Sequence, residues 1–393
     1  MAERRYLLLI LSFIGFIALG LPDAVIGVAW PTIRDDFDVP LDALGPFFVT
    51  ATIGAVISST FSGPVIERLG IGRLLAGSCL LTATAMFGYT VSPAWAVMVA
   101  LGLLSGLGAG AIDSAINMHA ATQYSARVVN VLHAFYAVGA AGGPAIMTAM
   151  LASGHGWRSG YWIIVVIEVL LAIAFVVTRK RWAASGHGHE HRPARLLQTL
   201  RLGKVQLSMA VFLIYTGCEV AAGAWFFSLL YESRGFATAA AGTAVTLYWV
   251  GLFGSRLGYA FLPANARPTV VIGVCIVAAL VCMGVLVLDV HPLIDTVAVT
   301  LIGFASGPIF PSMIATTPAR VGPQHTANTI GLQVSMGATG LALLPALSGL
   351  SAQYFGLESV PKFLGLCWAI LLLAYLSLEG RGAGGMRSAA SAA

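Results

Sequence analysis

Apolar residues run through this chain in blocks of about 20, divided by short polar breaks. The blocks cover 6–30, 41–63, 73–92, 94–120, 128–152, 160–178, 205–231, 239–262, 268–288, 292–316, 326–350 and 361–378. A block of that length crosses the hydrocarbon core of a bilayer as a helix, whereas the strands of a membrane barrel are shorter and alternate. The pattern predicts an all-α integral membrane protein with twelve transmembrane helices. One long polar interruption, RKRWAASGHGHEHRPARLLQTLRLGK (179–204), divides the chain near its midpoint. The expected organisation is an N-terminal six-helix bundle (1–178), a cytoplasmic linker (179–204), a C-terminal six-helix bundle (205–380) and a disordered cytoplasmic tail (381–393).

The two halves echo one another. Asp23-x-x-x-Gly27 in the first span returns as Glu219-x-x-x-Gly223 in the seventh, each followed by a tryptophan, Trp30 and Trp225. Gly63-x4-Arg68-Leu69-Gly70 after the second span returns as Gly251-x4-Arg256-Leu257-Gly258 after the eighth. Asn130-x8-Gly139-Ala140 returns as Asn328-x8-Gly337-Ala338. Three matches in the same order, each about half a chain apart, indicate two parallel six-helix pseudo-repeats, an arrangement typical of secondary transporters with a site at the bilayer midplane.

Composition supports the same class. The chain is 58% hydrophobic and 9% charged, against about 25% charged in soluble domains. The net charge of +5 does not point to nucleic acid, because the basic residues sit between spans. With a cytoplasmic N-terminus, seventeen lysines and arginines fall inside and four outside (Arg34, Arg158, Arg234, Lys362), so both termini and the linker are expected in the cytoplasm. MAERRY leads into the first block without a small-residue cleavage site, which reads as a retained span. The five cysteines lie in apolar blocks and form no CxxC pair, so neither disulfides nor zinc are expected. His187, His189, Glu190 and His191 read as linker rather than a metal site, and DDFD (35–38) as a solvated helix cap. Nothing resembles a nucleotide-binding loop. No cofactor is expected, and an ion or substrate gradient must supply the driving force.

The candidate chemistry centres on Asp23. Gly20, Asp23, Gly27 and Trp30 share one helical face, and an ionised carboxylate at mid-membrane costs about 2.5–3.5 kcal/mol on insertion scales. Asp113, Glu168 and Glu219 are the other acids well inside spans, and no lysine or arginine is. Desolvation without a basic partner favours their neutral form. A carboxyl that is neutral when buried and ionised when exposed is a proton carrier. The lack of an intramembrane cation argues against an organic-anion substrate. Asp113 and Asn117 are four residues apart and share a face; Asn130, His133 and Tyr136 can do the same. Sugar recognition needs aromatic faces, for which Tyr136, Trp225, Tyr248, Trp249 and Trp30 are candidates. It also needs hydroxyl partners, for which Asn117, Asn130, Asn328 and Gln333 are candidates. Gly142, Gly143, Pro144, Gly307, Pro308 and Pro311 are expected to interrupt helices. Acids with aromatics fit neutral sugars and lipophilic cations equally.

SGPVIERLGIGR (62–73) resembles the loop motif between the second and third helices of the major facilitator superfamily, through Gly63, Glu67, Arg68, Gly70 and Arg73. Within it, GLGAGAIDSAIN (106–117), NVLHAFYAVGA (130–140) and Asp23 resemble the fucose-permease branch of proton-coupled sugar symporters, and GLPDAVIGVAWP the glucose and mannose members. Asp113 stands where that branch has a glutamate more often. His133 and Tyr136 stand where fucose permease has amides.

The resemblance implies alternating access and symport of a hexose-like sugar with protons, with no enzymatic activity. It makes Asp113 the proton carrier and Asp23 the group that reads or couples the sugar, with Glu219 as a further coupling acid. The motif charges would hold an outward-open state. The expected setting is a monomer in the plasma membrane, the inner membrane of a bacterium. The alternative is a proton-coupled exporter of drugs or metabolites. A receptor would need a sensory domain, and none is evident.

Overall fold

The computed structural model describes residues 2–124, 126–182, 195–259, 261–262 and 266–390; for 2–5, 121–122, 126–127, 130 and 381–390 it describes the backbone alone. The histidine cluster at 187–191 falls outside the described residues. Every regular element described is helical. The first half comprises α1 (Ala2–Phe37), α2 (Leu44–Leu69), α3 (Ile71–Val91), α4 (Trp95–Gln123), α5 (Ala126–Ala152) and α6 (Gly156–Thr178). A short α7 (Leu196–Leu200) precedes the second half. That half comprises α8 (Gly203–Ser228), α9 (Thr238–Tyr259), α10 (Pro268–Leu288), α11 (Pro292–Ser306), α12 (Ile309–Val321), α13 (Pro323–Phe355) and α14 (Ser359–Ala390). The backbone expected to be a loose tail from 381 is helical as far as Ala390.

Among the described residues, 11 helical segments are long and apolar enough to cross a membrane, with α11 and α12 forming one of them. The twelfth, α9, carries threonines, glycines and Arg256, which lower its hydropathy. Valines and leucines such as Val177, Val274 and Leu373 are exposed on the outer faces, as a surface solvated by lipid tails allows.

The pseudo-repeat is visible in the packing. In the first half α1 packs on α5, α2 on α4, and α3 on α4 and α6; in the second, α8 packs on α13, α9 on α11, and α10 on α11 and α14. The halves meet through α1 with α8, α2 with α13 and α5 with α9. The repeated glycines of the lead helices explain one of these crossings. A Cβ on Gly27 would lie 2.3 Å from the Gly223 carbonyl oxygen, so α1 and α8 touch backbone to backbone.

Two expectations about helix breaks are corrected. Pro144 does not interrupt α5, which is continuous to Ala152, while Gly307–Pro308 does separate α11 from α12. The motif at 62–73 is not a loop. Gly63, Glu67 and Arg68 lie in α2 and Arg73 in α3, and Gly70 alone, at φ 79°, makes the turn. That left-handed φ is open to glycine at little cost.

We call the end carrying both termini the near end and the opposite one the far end. Polar cross-half contacts lie at the far end, while Phe135 of α5 meets Phe253 of α9 edge-on at 6.0 Å further along. The Leu41 amide donates to Gln353 Oε1 at 2.9 Å, Arg34 lies 3.0 Å from Glu232, and Thr148 fills the space beside Gly242. The acids of 35–38 are not all a solvated cap, because Asp36 accepts from the Trp157 indole at 2.7 Å and pairs with Arg158, tying α1 to α6.

Candidate functional site

Two polar clusters face each other near mid-membrane, one in each half. The first is organised by α1, where Asp23 remains solvent-accessible although it lies in the middle of a span. The Tyr136 hydroxyl on α5 donates to Asp23 Oδ2 at 2.9 Å. The close packing of α5 on α1 sets this pair, since a Cβ on Gly20 would lie 2.1 Å from the Tyr136 carbonyl oxygen. On α4, Asn117 Nδ2 donates to Asp113 Oδ1 at 2.9 Å, one helical turn apart as the spacing predicts. Asp113 is near enough for its charge to be felt at Asp23. His133 is half-buried with its ring edge-on to Phe16 at 5.0 Å. Among the described residues, no lysine, arginine or histidine nitrogen lies within 4 Å of the Asp23, Asp113 or Glu168 carboxyl. For these three acids, the expectation of no basic partner holds.

For Glu219 it does not. Arg256, expected in a loop, lies within α9, and its Nη2 is 3.3 Å from each Glu219 carboxyl oxygen. Its Nε donates to the Gly307 carbonyl at 3.2 Å, using an acceptor freed by the α11–α12 break. The Tyr215 hydroxyl lies against the Glu219 carboxyl, and the Tyr248 hydroxyl donates to the Glu219 carbonyl at 2.9 Å. The long side chain reaches back from the end of α9 into the protein, a direction that sequence position does not reveal. The premise for excluding organic anions is removed with it.

Several expected residues are elsewhere. Trp225 is fully buried and its indole donates to the Pro345 carbonyl at 2.9 Å, fastening α8 to α13. Tyr248 is fully buried behind Glu219, and Trp249 packs its ring against Gly223, so none of the three offers a platform in this conformation. Trp30 is buried against Trp95. Gln333 is buried and pairs with Thr317 at 3.1 Å within the second half. Asn328 donates to Thr199 on α7 at 3.2 Å, at the near end. The Asn130 side chain falls outside the described residues. Glu67, Arg68 and Arg73 are exposed and, among the described residues, make no ion pair within 4 Å.

The residues that pattern reading missed line two cavities inside the first half. The larger, about 60 Å3, lies on the far side of Asp23 and is walled by Phe47, Phe48, Met86, Tyr89 and Tyr161. The smaller, about 10 Å3, lies on the near side and reaches Thr82, Ile112 and Glu168. Pro22, Asp23 and Ser105 line both. Thr82 and Tyr89 are seven residues apart on α3, a polar pair on one helical face that spacing alone can pick out.

Several known proteins resemble this chain. "Bypass of stop codon protein 6" of Saccharomyces cerevisiae is 23% identical over 94% of this chain and 81% of its own. The "4-hydroxybenzoate transporter PcaK" of Pseudomonas putida is 26% identical over 45% of this chain and 40% of its own. Among solved structures, a point mutant of the nucleoside transporter NupG superposes with a TM-score of 0.79 at 13% identity, covering 95% of this chain and 99% of that one. A point mutant of the E. coli fucose:proton symporter FucP superposes with a TM-score of 0.65 at 16% identity, covering 95% and 98%. These likenesses confirm the expected fold. The family model for the Major Facilitator Superfamily matches residues 9–345. With its paired six-helix halves and midplane acids, the chain belongs to the Major Facilitator Superfamily and is a multi-pass membrane transporter of small molecules.

Proposed function

We propose that this transporter is a proton-coupled importer of a neutral, hexose-like sugar, working by alternating access. One observation carries the reading: Asp23 and Asp113 are unpaired with any cation, yet each holds a neutral hydrogen-bonding neighbour, Tyr136 and Asn117. A carboxyl so placed can bind a proton and a hydroxyl in the same position. Asp113 carries the proton. Asp23, with Tyr136, Asn117 and His133, reads the sugar or couples it to that proton. Glu219 is held as an ion pair by Arg256 and serves coupling through that pair. With the far end sealed and Asp23 still accessible, access runs from the near end. Taking the near end as cytoplasmic, from the distribution of lysine and arginine, makes this an inward-facing state of a plasma-membrane monomer. The free charges of Glu67, Arg68 and Arg73 fit that assignment, since their contacts would form when the near end closes.

Arg256 favours one second reading. An organic acid could take the guanidinium if Glu219 were protonated. Uptake into proteoliposomes with an imposed pH gradient separates the two. The panel is hexoses, deoxyhexoses, hydroxybenzoates and cationic dyes. Sugar accumulation driven by the gradient, with alkalinisation outside, supports the first reading. Accumulation of hydroxybenzoates alone supports the second, and dye movement alone supports an exporter.

A further inference from the structure

Glu168 belongs to α6, whose outer face is apolar. Trp162, Val166, Val169, Leu170, Ile173 and Val177 are exposed on its outer face. Glu168 instead points inward and is 2% exposed. It lines the small cavity together with Asp23, Thr82 and Ser105. A cavity of about 10 Å3 with polar walls has room for about one water.

We propose that Glu168 is a second proton-binding site of the first half, exchanging its proton with Asp23 through this cavity. The groups that face it are few. From α3 comes the Cys79 thiol, and from α1, across the cavity, Asp23. α4 contributes the Ser105 hydroxyl to the cavity, and Asp113 on the same helix acts on Asp23. Of the ionisable groups on α5, Tyr136 donates to Asp23 and His133 packs on Phe16. In the proposed exchange Glu168, with no cation within 4 Å, starts as the neutral acid. Its O–H bond breaks as an O–H bond forms on Asp23, directly or through one water, and the negative charge passes from Asp23 to Glu168. The exchange runs within the helices of one half, so it stays open whichever end of the substrate path is closed.

The proposal deepens the proton-coupled reading and rests on it for its consequence in transport. Infrared spectroscopy of the reconstituted protein tests the site without any substrate. The wild type should show a protonated-carboxyl carbonyl band at neutral pH that Glu168→Gln removes and Glu168→Asp shifts. The band should move on transfer to heavy water within the mixing time, and Asp23→Asn should slow that exchange at least tenfold. A band that Glu168→Gln leaves intact, that never exchanges, or that exchanges equally fast in Asp23→Asn overturns the proposal. The heavy-water and Asp23→Asn measurements remain available if Glu168→Gln fails to fold. In proteoliposomes, a wild type that moves no proton with any solute defeats the transport reading alone. A wild type that moves protons, with Glu168→Gln doing so at an unchanged pH profile, defeats this inference alone.

Discussion

Each acid inside a span is defined by its immediate neighbour. Asp113→Asn should abolish pH-driven accumulation while leaving counterflow of bound substrate, measured in the same proteoliposomes; surviving accumulation would remove Asp113 from the proton path. Tyr136→Phe deletes one hydrogen bond to Asp23 and should raise the substrate KM about two- to tenfold, the range of a bond worth about 0.5–1.5 kcal/mol, or more if the carboxyl is charged. The Glu219–Arg256 pair is different in kind. Removing one member of a buried pair strands the other, at a cost of about 3–5 kcal/mol, whereas replacing both with neutral groups costs far less. Arg256→Met should therefore melt well below the wild type in detergent, and Arg256→Met with Glu219→Gln should recover most of the loss. Asp23 is legible in the sequence because a charge in an apolar block needs a reason. Arg256 is not, because a residue near a helix end reads as a loop charge until the path of its side chain is seen. Trp225 and Trp249 resemble platforms in the sequence because an indole offers a planar face to a sugar. The face each presents depends on helix rotation, which the repeat does not fix.

Helices meet here where side chains are absent. Gly27→Leu would force α1 from α8 and should weaken closure of the far end. An impermeant maleimide should then label a cysteine at Gln353 faster than in the otherwise unchanged protein, and equal labelling would show that the crossing does not control the seal. The loops of the far end are bound by Arg234, which reaches Asp295 at 2.9 Å, Glu358 at 2.8 Å and the Leu286 carbonyl at 2.7 Å. The hydrogen bonds from Arg234 hold the Glu358 carboxyl below its ordinary value of 4.5. A carboxyl depressed on folding stabilises the fold above its unfolded value and loses that contribution as pH falls through the folded one. Melting temperature should therefore fall below about pH 4.5, and Glu358→Gln should flatten that part of the profile. The helices themselves are legible from block length, although α1, α2 and α14 run on past the ends of their blocks, to Phe37, Leu69 and Ala390. The motif at 62–73 reads as a loop in the sequence because apolarity ends before the helix does, while the turn needs only Gly70.

At the scale of the molecule, the repeat found in the sequence reappears as matching helix pairs in each half, because the same small residues recur at the same contacts. Which end is sealed is not legible in the sequence. It depends on pairs such as Arg34 with Glu232 and Leu41 with Gln353, whose members are distant in the chain and polar without pattern. The ion pair of the second half also has an electrical consequence. Arg256 cancels the charge of Glu219, so the second half contributes no net charge at midplane. On the proposed proton-coupled reading, the charge that varies through a cycle is that of the first half's acids. A carrier loaded with proton and neutral sugar is then less negative than the empty one. A charge traversing the full membrane field gains or loses about 2.3 kcal/mol per 100 mV. Voltage should act mainly on the return of the empty carrier, and an inside-negative potential would drive it to face outward.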